Sequence, residues 1–412
     1  MLSSAVIGPA AANLGSISRM LTLRYDPLAK PVRAPLSAED FVPQKTAGIE
    51  GRIVEIIKEG LESRHGELGF KRASLSLSAG VDSGMTMAML SRFLPDVKLD
   101  CISVGFGDKD DETERAKEIA RAYNCNFHEM LLDDVLTGLP KLIGIVKEPR
   151  WNLYHYYPVE AGKKTSSVFY SGDGGDELFG GYTFRYSKFL SLMTGGEGWH
   201  DRAKAYLSCH ERDWVPDQDL MFGRAVKFSW DAISKPLRVN FDNNLSPIDQ
   251  VFLADFNGKL LHDWLPTNKA FEKHLGVKIE SIFLTDEMIR LATHIPWQLK
   301  YDPKTTEGKM PLRAILSRQK GFESIEPVKK GFSANLASMW DRGAREIVKR
   351  YVNQDSEVVR QEIISVDWIK KTTGNLEKEP NQRYISKMLS ILALEVWYRL
   401  FVSRTMKPAE RL

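Results

Sequence analysis

The strongest indication of the fold is the stretch SLSLSAGVDSG at residues 74–84. Small and apolar residues alternate up to Ser78, a tight Ala-Gly turn follows, and Met85 and Leu90 then continue a helical stretch. A strand that passes through a turn into a helix is the junction at which open α/β sheets build nucleotide sites. Free backbone amides and the positive end of the helix dipole face the same point there. The stretch therefore predicts an anion site that suits pyrophosphate.

The side chains of this turn also suit a triphosphate. Gly80 lets phosphate oxygens approach the backbone, and the hydroxyl groups of Ser78 and Ser83 can donate to them. Asp82 can hold a Mg²⁺ ion that bridges the phosphates. The alternative is that Asp82 or Ser83 simply caps the helix, as such residues often do. The turn matches neither the GxxxxGK[ST] loop of kinases nor the GxGxxG spacing of dinucleotide folds.

A second stretch, SGDGGDELFGGY at residues 171–182, follows an apolar run and holds five glycines and three acids. Asp173 and Asp176 are close enough in this turn to aim both carboxylates into one cavity while backbone amides contact a ligand. The alternative is a loop with an Asx turn and glycine hinges. Acids and glycines this dense after a strand edge of an α/β sheet favour a binding site.

The composition excludes several classes of protein. With 43% hydrophobic and 27% charged residues, the 412-residue chain is unlike disordered or fibrous proteins. A net charge of +3 with scattered basic pairs argues against nucleic-acid binding. The three cysteines form no metal pattern, so we expect free thiols in a reducing compartment, no zinc and no structural disulfide. No apolar run approaches the roughly eighteen residues of a membrane helix, so we expect a soluble, cytoplasmic protein without membrane contact.

The organisation along the chain predicts an α/β protein. Apolar runs that predict strands lie at 73–78, 100–106, 127–132 and 167–171, and helical stretches lie near 83–94, 113–124 and 134–147. This is the βαβ rhythm of a parallel sheet. We predict an N-terminal arm at 1–45, a first helix at 46–62, an α/β core at 46–190 and a large helical C-terminal part at 191–412, which ends in an apolar helix at 382–402.

Residues 78–83 resemble the SGGVDS loop of the ATP pyrophosphatases, enzymes that adenylate their substrates. Two positions depart from that loop: Ala79 stands for the usual first glycine, and Gly84 stands for the Ser or Thr that usually follows. Ala79 is acceptable if its φ is negative, whereas Gly84 removes one phosphate-binding hydroxyl. The resemblance implies a parallel-sheet, adenine nucleotide α-hydrolase-like (ATP pyrophosphatase) core that splits ATP between its α and β phosphates.

The second stretch narrows this resemblance. SGDGGDE followed by FGGY is similar to the motif of the asparagine synthetase family, which includes β-lactam synthetase; GMP and NAD synthetases lack it. The resemblance covers about residues 50–405, including a lysine-containing helix start at 308–313 and a KxGF-like segment at 329–332. It implies an ATP- and Mg²⁺-dependent carbon–nitrogen ligase that forms an acyl-adenylate, releases AMP and pyrophosphate, and joins the acyl group to ammonia or an amine. Aspartate to asparagine is the default reaction.

The resemblance also implies a role for individual residues. Asp82 and Asp176 would hold Mg²⁺, and Asp173 would occupy the base position. Lys329 would contact the adenylate and stabilise the departing charge, although without the resemblance it would be a solvated surface lysine. The other residues that would contact the nucleotide are Ser76, Leu77, Ser78, Gly80, Val81, Ser83, Val104, Ser171, Gly172 and Gly174.

One departure from full-length asparagine synthetases concerns nitrogen. Their glutaminase domain uses a cysteine that is exposed after removal of the first methionine, whereas this sequence has Leu2 and its first cysteine is Cys101. We therefore expect no glutamine hydrolysis by that route. Nitrogen would come from free ammonia, from a separate glutaminase subunit, or from an amine on a second substrate.

A second departure concerns the acid. The family usually shows KxDRxSM followed by ExRxPFLD, whereas here residues 268–274 read NKAFEKH and residues 278–285 read KIESIFLT, with Glu280 at the arginine position. A charge reversal is hard to reconcile with unchanged recognition of a small diacid. Amidation of another carboxylate, or condensation with an organic amine, therefore stays open. So do a homodimer and, as a different class of function, a non-catalytic nucleotide-binding subunit.

Overall fold

A parallel sheet of five strands, in the order β3-β2-β1-β4-β5, forms the centre of the protein. The computed structural model describes residues 13–44, 47–107, 112–323 and 335–412. The strands are β1 (Arg72–Ser76), β2 (Lys98–Gly105), β3 (Asn126–Leu131), β4 (Val168–Ser171) and β5 (Lys278–Ser281), and a separate antiparallel pair is formed by β6 (Tyr301–Asp302) and β7 (Glu307–Gly308). The α/β fold class and the four predicted strands are confirmed, whereas no apolar run predicted β5.

Helices make up most of the rest of the described chain. Up to β4 they are α1 (Leu14–Leu23), α2 (Ile49–Leu68), α3 (Val81–Phe93), α4 (Thr113–Ala122), α5 (Leu139–Val146) and α6 (Tyr156–Lys163). Between β4 and β5 they are α7 (Gly175–Phe179), α8 (Thr183–Ser191), α9 (Trp199–Ser208), α10 (Gln218–Met221), α11 (Trp230–Ser234), α12 (Arg238–Phe241), α13 (Pro247–Asp255) and α14 (Leu265–Leu275). After β5 they are α15 (Asp286–His294), α16 (Met310–Leu316), α17 (Leu336–Met339), α18 (Arg345–Tyr351), α19 (Glu357–Arg360), α20 (Val366–Lys378) and α21 (Gln382–Phe401).

Each face of the sheet is covered by helices and has its own hydrophobic cluster. On one face, α2, α3 and α16 pack over strand residues such as Leu75 and Leu99. On the other face, α5, α6 and α14 pack near Ile102 and Phe169. A third cluster lies within the helical part, around residues such as Tyr186. The central strand β1 is thereby buried on both sides, as is usual for parallel sheets. Among the residues that the structure describes, no helix has the length and apolarity needed to cross a membrane.

The arm that precedes the core is tied into the helical part. The sequence predicted no helix before residue 46, and this was wrong, because α1 spans Leu14–Leu23. Buried Lys387 of α21 donates to the carbonyl oxygens of Leu21 and Asp213. The outer side of the short α1 carries mostly small and polar residues. Its stability therefore comes from these tertiary contacts rather than from a long apolar periodicity.

The arm also holds the segment that leads into α14. That segment, Phe256–Trp264, is a π-helix in which Gly258 has φ −91° and ψ −106°. A Cβ at Gly258 would lie 2.6 Å from the hydroxyl oxygen of Tyr25. The side chain of Asn257 donates to and accepts from the backbone of Leu36, both at 2.8 Å. The arm therefore fixes the kink that orients α14.

Replacing Gly258 by Ala is expected to lower the free energy of unfolding by about 1–3 kcal/mol, because the new methyl group overlaps Tyr25. Chemical denaturation measures this change. Tyr25→Phe in the same background removes the closest atom and should recover part of the loss. The matched control is Gly374→Ala in α20, where a Cβ meets nothing within 4 Å. It should raise stability by about 0.5–1 kcal/mol. Equal effects at both glycines would contradict this account of the kink.

Candidate active site

The two glycine-rich stretches meet at one edge of the sheet. One follows β1 and the other follows β4, and these strands are direct neighbours. From β1 the sheet continues outward to β2 and β3, whereas from β4 it continues in the opposite direction to β5. The loops therefore flank the position at which the strand order reverses, which is where open α/β sheets bind ligands.

The loop after β1 is closed by its own serines. The hydroxyl groups of Ser78 and Ser83 are 3.0 Å apart, and the amide of Gly80 donates to Ser78 Oγ at 3.1 Å. Ser83 Oγ also accepts from the amide of Ser78 at 3.1 Å. These bonds hold the turn in one shape before α3 begins at Val81. Ala79 has no positive φ, so the first departure from the family loop introduces no backbone strain.

The second departure, Gly84, is explained by a neighbouring ring. A Cβ at this position would lie 2.6 Å from Cε1 and 2.8 Å from Cζ of Phe322, which is buried. No real side chain fits there unless the ring moves. The ring of Phe322 therefore occupies the space that a serine or threonine side chain would need at position 84.

Two carboxylates and one lysine meet between the loops. Lys309 Nζ lies 2.5 Å from Asp176 Oδ1 and also contacts Asp82 Oδ2. Two oxygens bonded to the same nitrogen can be at most about 6 Å apart. The structure thus brings together the two acids that the sequence analysis paired. Lys309 precedes α16 with a left-handed φ of 57° and is itself buried.

The glycines of the second stretch leave room for this cluster. A Cβ at Gly181 would overlap both the Asp176 carboxylate and the side chain of Lys309. A Cβ at Gly175 would overlap the Asp82 carboxylate, and one at Gly172 would lie 2.8 Å from Asp82 Cβ. Glycines of SGDGGDELFGGY therefore stand where the side chains of Asp82, Asp176 and Lys309 pass close to the backbone.

The donor set of Asp82 and Asp176 fits Mg²⁺. This ion prefers oxygen ligands and is usually held by one or two carboxylates together with substrate phosphates and water. Both carboxylates lie beside the turn that suits phosphate, and Gly172, Gly175 and Gly181 add no side chains of their own where a Cβ would overlap the cluster. No group of three or more metal-binding side chains occurs in the parts of the chain that the structure describes.

Asp173 lies on the same loop in a different setting. Its Oδ2 accepts from Ser171 Oγ and from Asn268 Nδ2, both at 2.7 Å, and its carbonyl oxygen accepts from Ser281 Oγ at 2.6 Å. Burial raises the pKa of the Asp173 carboxyl, and the negative charges of Asp82 and Asp176 add to this rise, while the two hydrogen bonds oppose it. A carboxyl group of this kind is suited to proton transfer.

Glu177, next to Asp176, is a buried acid that the sequence analysis did not single out. Burial and the neighbouring charge of Asp176 raise the pKa of Glu177 to about 7. The hydroxyl group of Tyr182 donates to Glu177 Oε1 at 2.7 Å. Tyr182 in turn lies against Arg185, whose guanidinium centre is 3.9 Å from the tyrosine ring. The FGGY segment is thus anchored through Glu177.

The remaining predicted site residues lie in four places. Ser76, Leu77 and Val81 flank the turn after β1, whereas Ser171 is the last residue of β4 and Gly174, which has φ 89°, lies in the loop that follows. Val104 is half-buried near the carboxyl end of β2, beside these loops. Lys329 lies outside the described residues.

Lys309, Glu177 and Asn268 were missed as site residues. Lys309 belongs to the lysine-containing helix start at 308–313. Its position directly before Met310 and Pro311, where a helix begins, was the signal that could have identified it as a site residue. Asn268 carried no signal, because its contact with Asp173 depends on how α14 packs.

Glu280, which stands where the family has an arginine, forms an ion pair within the protein. Arg64 Nε of α2 lies 3.2 Å from Glu280 Oε2. Its strand neighbour Ser281 points to the opposite side of β5 and bonds Asp173. The reversed charge is therefore balanced by Arg64.

The described residues of the site lie within a region that matches a known protein family. The model of the asparagine synthase family matches residues 69–399, which include both glycine-rich loops and Lys309. The chain belongs to the asparagine synthase family.

Curated relatives agree with this assignment at low identity. Asparagine synthetase [glutamine-hydrolyzing] 1 of Bacillus subtilis is 26% identical over 382 residues, which cover 81% of this chain and 57% of the relative. The putative asparagine synthetase [glutamine-hydrolyzing] 2 of Methanocaldococcus jannaschii is 34% identical over 112 residues, 26% of this chain and 22% of the relative. The chain spans little more than half the length of the first of these relatives.

Solved structures give a weaker likeness. The U34-tRNA thiolase NcsA from Methanococcus maripaludis matches with a TM-score of 0.25 and 12% identity, over 71% of this chain and 88% of its own. NAD⁺ synthetase from Burkholderia pseudomallei matches with a TM-score of 0.22 and 11% identity, over 64% of this chain and 96% of its own.

Restoring the hydroxyl-bearing residue of the family at position 84 is expected to destabilise the fold. Gly84→Ser should lower the free energy of unfolding by about 1–3 kcal/mol, because its Cβ overlaps the ring of Phe322. In a double-mutant cycle measured by denaturation, the serine should cost much less when Phe322 is already replaced by Ala. Strictly additive losses would show that the ring does not exclude a side chain at this position.

Glu177 should make stability depend on pH. Its pKa is raised, so the folded protein holds this proton more tightly than the unfolded chain, and stability through this group falls as pH rises from about 4.5 to about 7. Glu177→Gln removes the group. The free energy of unfolding of the wild type relative to Glu177→Gln should therefore decline by about 1–3 kcal/mol between pH 5 and pH 8. Parallel pH profiles of the two proteins would contradict the raised pKa.

Proposed function

We propose that this protein is an ATP-dependent ligase that activates a carboxylate as an acyl-adenylate, releases AMP and pyrophosphate, and transfers the acyl group to ammonia or an amine. The observation that carries the proposal is the meeting of Asp82, Asp176 and Lys309 at the strand-order reversal. Family membership supports the same class of reaction. Aspartate and ammonia are the first substrates to test.

The charges of the cluster suit this chemistry. Cleavage at the α-phosphate leaves a multiply charged pyrophosphate, which needs fixed positive charge where that charge develops. Mg²⁺, when bound by Asp82 and Asp176, would neutralise phosphate oxygens and polarise the reacting phosphorus. Lys309 supplies a buried cation from the protein itself. The amides of the turn after β1 and the start of α3 would bind the phosphate oxygens.

Asp173 is proposed to accept a proton after the nitrogen attacks. An unperturbed Asp has a pKa of about 3.9, so removing a proton from an ammonium group with a pKa near 9 would cost about 7 kcal/mol. The neutral amine therefore attacks first, and its nitrogen becomes acidic in the tetrahedral intermediate. The raised pKa of Asp173 makes it a better acceptor at that stage.

A second candidate is amidation of a different carboxylate, or its condensation with an organic amine. The segment 268–285 departs from the family pattern, and two of its residues, Asn268 and Ser281, bond Asp173 directly. The part of the sequence that differs from asparagine synthetases is thus in contact with the proposed base. Pyrophosphate release across a panel of acids and amines tests both candidates, and absence of release with every pair despite ATP binding would favour a non-catalytic nucleotide-binding subunit.

Asp173→Asn should separate the two half-reactions. Exchange of radioactive pyrophosphate into ATP, which needs only the acid, should stay within about threefold of the wild type, while amide formation should fall by at least about 100-fold. The matched control is Asp231→Asn, a change at an exposed residue of α11, which should alter neither rate. Equal loss of both half-reactions in Asp173→Asn would reject the proposed role.

A further inference from the structure

The ammonium group of Lys309 occupies the space between the two proposed metal ligands. It lies within hydrogen-bond distance of an oxygen of Asp82 and of an oxygen of Asp176. A Mg²⁺ ion held by the same carboxylates would approach their oxygens to about 2.1 Å. The two cations would then lie within a few ångströms of each other, where their repulsion is strong in a buried site. This repulsion opposes the binding of both cations by the same carboxylate pair.

Only the end of the Lys309 side chain is able to move away from Asp82 and Asp176. Its amide donates to the carbonyl oxygen of Phe179 at 3.0 Å, and its own carbonyl oxygen accepts from the amide of Arg313 at 2.9 Å. Its Cε lies against Gly181, which leaves no room for the side chain to shift in that direction. A new partner for the ammonium group therefore cannot approach from the side of Gly181.

We propose that Lys309 and the divalent metal ion compete for Asp82 and Asp176, so that the protein without nucleotide binds the metal weakly. A nucleotide triphosphate removes the competition, because its oxygens give the ammonium group another anionic partner of high charge. The metal then enters with the nucleotide, and Lys309 is left against the phosphates. This inference rests on the proposed function for the position of the triphosphate, but the competition itself depends only on the three side chains.

The test measures metal binding without any nucleotide. Mn²⁺ serves as the probe, since electron paramagnetic resonance detects the free ion. The wild type should bind Mn²⁺ weakly, and Lys309→Met should bind it at least about tenfold more tightly, because the competing charge is gone. Adding Asp176→Asn to Lys309→Met should abolish the gain. Equal Mn²⁺ affinity in the wild type and in Lys309→Met would overturn the proposal.

Lys300→Met is the matched control. Lys300 is also a buried lysine, but its Nζ donates to the carbonyl oxygens of Leu178 and Ala292, at 3.2 and 2.7 Å. Its removal should leave Mn²⁺ affinity unchanged, and a gain as large as that of Lys309→Met would overturn the proposal.

Two further measurements keep the inference testable if Lys309→Met is unstable. Mg²⁺ should raise the unfolding temperature of Lys309→Met by several degrees more than that of the wild type, and an equal rise would count against competition. If the variant does not fold, the wild type decides: tight Mn²⁺ binding that Asp176→Asn abolishes would overturn the proposal, and weak binding supports it. Metal competition without pyrophosphate release from any acid would retain this inference and reject the ligase function.

Discussion

The contact of Lys309 with Asp82 and Asp176 is the interaction on which the site depends. The three residues come from distant segments of the chain, since Lys309 and Asp82 are 227 positions apart. Buried charges are tolerated only when they are paired, so the loop after β1, the loop after β4 and the start of α16 must come together correctly or not at all. The same requirement that assembles the fold also assembles the charges that a triphosphate would meet.

Room for these charges explains the glycines better than backbone flexibility does. Gly172, Gly175 and Gly181 all have ordinary φ values, yet each faces an atom of the cluster that a Cβ would touch. Gly174 and Gly180 have positive φ and serve the turns on either side of α7. A motif of this kind therefore records close approach between side chains and backbone, in addition to the turns that glycine permits.

The sequence was sufficient for four of the five strands and for the two loops, because those strands are short runs rich in apolar and small residues and the turns need small residues. It was insufficient for β5, whose residues Lys278 and Glu280 are polar, and for α1, which is held by the distant Lys387. The pairing of Asp82 with Asp176 could be inferred from two local motifs. The helix start at 308–313 drew attention to the segment of Lys309, but the position of Lys309 between the two acids and the contact of Asn268 with Asp173 could not be inferred, because both depend on how separate helices pack.

The bond between Lys387 and Leu21 joins residues 366 positions apart, close to the two limits of the described chain. During synthesis on the ribosome, α1 emerges well over three hundred residues before its buried partner Lys387 in α21, since the bonded residues are 366 positions apart. Until then the carbonyl groups at the end of α1 lack the cation that satisfies them. The cluster that α2, α3 and α16 cover contains no residue of α21 and can form earlier, whereas the cluster on the other face includes residues of α21 such as Leu389 and is completed only when that helix has emerged. Contacts of such long range are slow to form. A nascent chain of this protein would therefore expose the surface that α21 covers until that helix has been made.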